Sequence, residues 1–224
     1  MHLTAMLSLN RGVNKENRYS NYHSFFIPTL LFFLLSGCAT ENKRPLADGE
    51  AVLIQTKALI KDQNDSNTVK IEIAVLPRKA IRLEITGSLG ISVATVLLTP
   101  VDITYALHTT KQFATGPFSE KTLYPIFKKN IDPRILWRII NNQPMTNLNL
   151  KCSLNTQSKP EKCETVDGTS IIWTYDQPPF KRVDIKSNRF EMNWIFRDQS
   201  LLGAYQNETF MLKKPDSYQE IIIK

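Results

Sequence analysis

The sequence predicts a mainly β protein of the α+β class, and three observations support this prediction. From Ala51 onward, apolar residues alternate with polar residues at a period of two, which is the period of half-buried strands. The alternation is interrupted between Thr122 and Asn141, where the apolar residues have helical spacing instead. Turn-forming residues separate the alternating segments at short intervals, which favours antiparallel neighbours.

Six strands in meander order are predicted before the helices. Val69 to Val75 shows the clearest alternation, and Pro77 ends that strand because proline donates no backbone hydrogen bond. The segment Ile91–Leu98 is apolar on both faces, which a strand buried on two sides would explain. The six predicted segments are Val52–Ile60, Val69–Val75, Ile81–Ile85, Ile91–Leu98, Val101–Leu107 and a short strand around Phe113.

Two short helices are predicted next, over Thr122–Lys129 and Asp132–Asn141. The second is well marked, because Asp132 can cap it, Pro133 occupies its first helical position and Pro144 lies beyond its end. Its apolar residues cover most of the circumference, whereas a surface helix shows a narrower stripe. We therefore expect apolar contacts on two sides of this helix, one with the sheet and the other with neighbouring side chains or a ligand.

The strand period returns after Pro144. Two of the later segments carry bulky stripes that include Trp173 and Trp194, and such stripes more often pack a core than line a cavity. The last two segments would add a strand pair at the C-terminal end. The predicted strands are Leu148–Cys152, Cys163–Val166, Ser170–Tyr175, Arg182–Lys186, Phe190–Phe196, Glu208–Leu212 and Glu220–Ile223.

An apolar stretch near the N-terminus, Phe25–Leu35, has the length of a secretory signal. A helix that spans a bilayer needs roughly 20 apolar residues, so this stretch is too short to cross. The preceding segment carries three basic residues and one acidic residue, which is the positive lead of a signal peptide. Translation could begin at Met1 or at Met6. We interpret residues 1–37 as a signal peptide.

The residues that follow, Leu35-Ser36-Gly37-Cys38, resemble the lipobox of bacterial lipoproteins. The two small residues leave the backbone open to a protease, and the Cys38 thiol can take a diacylglyceryl group. The alternatives are ordinary secretion and a buried cysteine that happens to follow two small residues. With Cys38 as the mature N-terminus, residues 38–49 would form a lipid-anchored tether. Ala39, in place of an aspartate, points to the outer membrane.

The remaining cysteines, Cys152 and Cys163, make an even pair in an exported chain. They flank a polar stretch that is typical of a hairpin loop. We expect a disulfide, which for a loop of about a dozen residues contributes about 3 kcal/mol in the chain-entropy interpretation. The alternative is two reduced thiols.

Charge and motifs argue against several classes of function. The net charge is +7, or +5 without residues 1–37, and it is spread along the chain, so nucleic acid is not an expected partner. His108 is the one histidine after the predicted signal, too few for a zinc site, and we expect it in a loop or at a sheet edge. Nucleophile-elbow and phosphate-cradling motifs are absent from the sequence. We expect no catalytic residues, no metal and no cofactor. We therefore expect that the protein is not an enzyme.

The order of lipobox, tether, six-strand meander, two short helices and further antiparallel strands resembles the LolA/LolB/LppX superfamily of lipid-handling envelope proteins. Within it, the chain resembles the outer-membrane lipoprotein receptor LolB. The segments that carry the resemblance are "RLEITGSLGISVATV" (Arg82–Val96) and "IDPRILWRIINNQP" (Ile131–Pro144), within a similarity over about residues 50–198. Asn141–Gln143 replaces a glycine that is usual in the receptor, and the C-terminal strands are additional. The resemblance implies that residues 50–224 form an unclosed, strongly curved antiparallel β-barrel with short helices as a lid.

The resemblance also implies a site and partners. A cavity between the barrel and the lid would hold acyl chains of lipoproteins or lipids. A periplasmic LolA-like carrier would deliver the lipoprotein, and this chain would insert it while anchored by lipid at the periplasmic face of the outer membrane. The candidate residues lining the cavity are Leu136, Trp137, Ile140, Trp173 and Trp194.

Leu89 lies in "TGSLG", where Gly87 and Gly90 bracket a turn. A leucine at such a tip has few neighbours, although it could fold back onto the adjacent strand. The resemblance implies that it is exposed and acts in membrane insertion and cargo release.

A second hypothesis for the protein as a whole is a structural role in envelope or surface-machinery assembly, with the cavity filled by side chains.

Overall fold

A single twelve-stranded sheet forms the frame of the computed structural model, which describes residues 50–223 except 63–64, 120, 128–130, 146–147, 149, 167, 177–179, 189, 204 and 206. The predicted signal peptide, Cys38 and the predicted tether lie outside the described residues and stay predictions. The described residues belong to one unit, Leu46–Lys224.

The strand order is β12-β6-β5-β4-β3-β2-β1-β11-β10-β9-β8-β7. Neighbours are antiparallel, except that β12 runs parallel to β6. The two edges, β12 and β7, are not paired with each other, so the sheet is unclosed. This confirms the predicted fold class. The strands are β1 Val52–Asp62, β2 Asp65–Leu76, β3 Ala80–Thr86, β4 Ser92–Leu98, β5 Asp102–Leu107, β6 Gln112–Pro117, β7 Leu150–Leu154, β8 Pro160–Thr165, β9 Ser170–Tyr175, β10 Lys181–Ser187, β11 Phe190–Leu201 and β12 Gln219–Glu220.

Strand β1 joins the two halves of the sheet, because it pairs with β2 on one side and with β11 on the other. The pairing with β11 places Ala58 opposite Trp194, so the smallest core side chain of β1 faces the largest of β11. A register shift between Gln55 and Thr56 interrupts this ladder. Such irregularities bend a strand and increase its twist, which suits a curved sheet.

Two helices lie in the chain between β6 and β7, the strands near the two edges. Helix α1 is Tyr124–Phe127, which begins two residues later than predicted, and helix α2 is Pro133–Ile140. The predicted cap is present, since a carboxylate oxygen of Asp132 accepts a 2.8 Å hydrogen bond from the Arg134 backbone N–H. The helix thus begins where the sequence predicts.

Strand β4 is buried on both faces over Ala94–Leu98. Its inward side chains, such as Val96, belong to the main apolar core. On the other face, the Arg82 guanidinium of the neighbouring strand β3 donates 3.2 Å hydrogen bonds to the carbonyls of Thr209 and Met211. The C-terminal segment therefore lies against the outer face of the sheet beside β4.

The predicted C-terminal strand Glu208–Leu212 is wrong, because Asn207–Phe210 forms a 3₁₀ helix. Alternating apolar residues suggested a ladder, but two carbonyls of this segment, those of Thr209 and Met211, accept hydrogen bonds from Arg82 of β3. The predicted strand Glu220–Ile223 is reduced to Gln219–Glu220, which pairs with β6. There is therefore no strand pair at this end of the described chain.

Candidate functional site

The inner face of the sheet is apolar and is covered by α2. Leu136, Ile139 and Ile140 of the helix are buried in the same cluster as the inward side chains of both halves of the sheet. Trp137 packs against this cluster while partly exposed. The helix thus makes the broad apolar contact that the distribution of its apolar residues predicts.

Trp194 is the largest fully buried side chain of this interior, and its polar atom is satisfied. Its indole N–H donates a 2.9 Å hydrogen bond to the Thr56 hydroxyl, which donates in turn to the Ile71 carbonyl. The ring also stacks on Phe196, with centroids 4.7 Å apart. Trp173 is likewise buried in the cluster.

The five predicted lining residues, Leu136, Trp137, Ile140, Trp173 and Trp194, are brought together around one interior. Four of them are buried in the apolar cluster, and Trp137 packs against it. A groove of about 720 Å³ opens beside the start of β10, and it is lined in part by Phe180, Lys181 and Phe196 and by none of the five. Their contact with acyl chains stays a prediction.

A buried lysine holds the end of α2 against the sheet. Lys181 is only 7% exposed and lies at the start of β10. Its ammonium donates to the Ile139 carbonyl and, at 2.7 Å, to the Asn142 side chain, and it lies 4.3 Å from the centroid of the Phe196 ring. Burial disfavours the charged form and lowers the pKa of Lys181 to about 7.

The sequence analysis missed Lys181, although a signal was present. In β10 the inward positions alternate as Lys181, Val183 and Ile185, so the period of two places the lysine on the core side. An inward lysine at a strand end is a candidate partner for a helix C-terminus, where carbonyl groups lack intrahelical partners.

Two buried tyrosine hydroxyls were also missed. Tyr105 on β5 is fully buried, and the hydroxyls of Tyr105 and Tyr175 have no hydrogen-bond partner in the part of the chain that the structure describes. Desolvation raises the pKa of both phenols, so both are protonated at neutral pH. Each is therefore a hydrogen-bond donor without an acceptor among the described residues.

Leu89 lies at the tip of the β3–β4 loop and is 86% exposed, with Ile91 beside it at 59%. The loop is held by hydrogen bonds from the Gly87 N–H to the Ile91 carbonyl and from the Gly90 N–H to the Gly87 carbonyl. Gly90 has φ of +78°, a conformation that favours glycine. The loop thus presents an apolar tip to solvent.

Cys152 and Cys163 lie directly opposite each other on β7 and β8, and the structure joins their sulfur atoms at 2.06 Å. This link ties the edge strand β7 to its neighbour. The pairing in solution stays a prediction.

His108 belongs to a polar network on the outer face. Its Nδ1 lies 2.7 Å from the Tyr218 hydroxyl and its Nε2 lies 2.9 Å from the Thr95 hydroxyl, which donates to Glu84. The network fastens the C-terminal segment to β4 and β5. Within the described ranges, no group of three or more His, Cys, Asp or Glu residues is placed to hold a metal ion, and no helix has the length and apolarity to span a bilayer.

No family model matches the sequence, and no curated protein is significantly similar to it. The structure is similar to a domain from Vibrio parahaemolyticus that carries the description outer membrane lipoprotein-sorting protein. The TM-score is 0.50 at 10% identity, over 72% of this chain and 89% of that domain. It is also similar to a LolA superfamily protein from Nitrosomonas europaea, with a TM-score of 0.47 at 8% identity, over 76% of this chain and 92% of that one. The first similarity shows that this chain has the fold of the sorting domain, an unclosed antiparallel sheet with few helices.

Proposed function

We propose that the protein binds acyl chains of lipoproteins or lipids between its sheet and helix α2, and that it helps insert lipoproteins into the outer membrane. The observation that carries this proposal is an unclosed sheet whose apolar inner face is covered by a short helix. Such a helix can move without breaking the sheet, because its backbone contributes nothing to the strand ladders.

Binding needs no external energy source under this proposal. Leu136, Ile139 and Ile140 fill the interior in the structure, so an acyl chain would replace their contacts with the sheet. Each methylene transferred from water contributes about 0.8 kcal/mol, whether it belongs to a side chain or a lipid. Because α2 has only eight residues, a long acyl chain can offset the free energy lost when the helix gives up its contacts with the sheet.

Release would involve the exposed tip of the β3–β4 loop. Leu89 can enter the acyl region of a bilayer, since its side chain already lies almost wholly in water. An acylated Cys38 would keep the domain at the periplasmic face of the outer membrane, where a LolA-like carrier would deliver the cargo. The process requires no catalytic residue and no cofactor.

One observation favours a second role. The five predicted lining residues all pack in or against the core, as expected if the cavity is filled permanently by side chains. In that case the protein would serve envelope or surface-machinery assembly without carrying lipid.

Mass spectrometry of the exported domain without Cys38 tests the proposal. We expect acylated peptides or lipids to co-purify at close to one per protein, and to be displaced by added diacylglyceryl lipopeptide. A domain that co-purifies with none, and that takes up no lipopeptide from detergent-free solution, would favour the structural role.

A further inference from the structure

The outer face of the sheet, opposite the apolar interior, carries a basic patch of five exposed side chains. The patch consists of Lys57, Lys61, Lys70, Arg182 and Lys186. Lys57 of β1 and Lys70 of β2 lie directly opposite each other in the strand register. Like charges in that position destabilise a sheet.

The repulsion between these two lysines is not relieved within the described ranges. Neither Lys57 nor Lys70 forms an ion pair with a carboxylate there. Glu72, the nearest acidic residue along β2, accepts a hydrogen bond from the Gln55 side chain. An anion bound from outside would therefore relieve a repulsion that the fold itself maintains.

The other three cations of the basic patch are only partly neutralised. Arg182 continues the same cross-strand row on β10, two strands beyond β1, and pairs with Asp184 at 3.2 Å. Lys61 and Lys186 share one carboxylate, that of Glu191, at 3.8 and 3.6 Å. The five cations thus face two carboxylates, and the basic patch has a net positive charge.

The basic patch extends to the same edge of the sheet as the exposed Leu89 tip. Strands β1, β3 and β10 run in one direction, because a single antiparallel strand separates each from the next. Lys61 and Lys186 are the next-to-last residues of β1 and β10. Lys70 pairs with Thr86, the last residue of β3, directly before the Leu89 loop. Cations and an apolar tip therefore share one border of the molecule.

This combination restricts the chemistry of a partner. An anionic bilayer has phosphates at its surface and acyl chains beneath them, so it can receive the cations and an apolar side chain together. An acidic protein surface would neutralise the cations, but it would also need an apolar pocket placed to receive Leu89. The observations therefore favour a lipid surface.

We propose that the basic patch docks the protein on the phosphates of an anionic glycerophospholipid bilayer, beside the point where the Leu89 tip enters the acyl region. This inference rests on the proposed membrane role of the Leu89 loop and specifies the lipid headgroup. It does not depend on acyl binding in the interior.

Co-sedimentation with vesicles measures this docking. The exported domain without Cys38, which has no lipid anchor, is mixed with vesicles of phosphatidylcholine alone or of phosphatidylcholine with phosphatidylglycerol. Wild type should bind the vesicles that contain phosphatidylglycerol far more tightly, and added salt should weaken this binding. A lysine close to an anionic membrane contributes about fivefold in affinity, so Lys57→Gln combined with Lys70→Gln should weaken binding about 25-fold.

Arg78→Gln combined with Lys79→Gln is the matched control. It also removes two exposed cations, but from the turn between β2 and β3, at the opposite edge of the sheet. The control should bind vesicles like wild type. The lysine double variant should melt at or above the temperature of wild type, because it loses a like-charged pair, and it should take up diacylglyceryl lipopeptide normally.

Equal binding of both kinds of vesicle by wild type, or equal losses in the lysine double variant and the control, would overturn the inference. Uptake of lipopeptide in that case would leave the proposed acyl binding standing, whereas docking without uptake would contradict acyl binding alone. A lower melting temperature of the lysine double variant would reveal an anion within the protein and contradict the inference. Normal docking by that variant with poor uptake of lipoprotein from a LolA-like carrier would assign the basic patch to an acidic protein, which also overturns the inference.

Discussion

Replacing Lys181 by methionine should change how the stability of the protein depends on pH. The substitution keeps a long side chain but removes the ammonium that donates to Ile139 and Asn142. Lys181 is 7% exposed, so solvent screens its charge little. The perturbation therefore isolates one buried titratable group at the end of α2.

The size of the expected change in the free energy of unfolding follows from the pKa of Lys181. In the folded protein it is lowered from 10.5 to about 7. Between these values the unfolded chain holds more protons than the folded one, so the free energy of unfolding rises with pH in this window. One pKa unit corresponds to about 1.4 kcal/mol, and from pH 7 to pH 9 the rise due to this lysine amounts to about 2 kcal/mol.

Urea denaturation at pH 7, 8 and 9, followed by tryptophan fluorescence, measures this effect. The free energy of unfolding of Lys181→Met, relative to that of wild type, should fall by about 2 kcal/mol between pH 7 and pH 9. The reason is that only the wild type gains stability as the pH rises. Lys186→Met removes an exposed lysine from the same strand and should show no such trend. A difference between Lys181→Met and wild type that stays constant across this range would refute the reasoning.

Three further predictions concern the loop, the helix and the disulfide. Leu89→Glu should slow lipoprotein transfer into liposomes roughly thirtyfold, the equivalent of about 2 kcal/mol for one leucine, while Val101→Glu, at another exposed position beyond the opposite end of β4, should not. Asp132→Ala should lower the free energy of unfolding by about 1 kcal/mol through loss of the α2 cap, as measured in urea; no change would mean that the cap is not formed. Replacing Cys152 and Cys163 by serine should cost at most about 3 kcal/mol, and a thiol titration that finds two free cysteines in the native protein would contradict the bond.

Local patterns were sufficient for most of the fold. The alternation of Val69–Val75 and the cap at Asp132 depend on neighbouring residues, and both appear as predicted. The two-sided burial of β4 could also be predicted, because Ala94–Leu98 is apolar on both faces. The segment that covers the outer face of β4 could not be predicted from neighbouring residues.

The C-terminal segment was mispredicted because its structure depends on a distant contact. Arg82 lies 127 positions before Thr209, whose carbonyl it binds, and a pattern of neighbouring residues does not predict a contact over that separation. The unpaired hydroxyl of Tyr105 was invisible for a related reason. A buried tyrosine hydroxyl usually has a partner, and only the folded interior shows that this one has none among the described residues.

Photo-crosslinking tests most directly whether acyl chains bind between the sheet and α2. A benzophenone side chain at position 173 replaces a buried tryptophan by a group of similar size, and one at position 154 replaces an exposed leucine of β7. With a lipoprotein labelled in its acyl chains, we expect crosslinks from position 173 and none from position 154. Crosslinking confined to position 154, or absent from position 173 while the lipoprotein remains bound, would contradict an interior site.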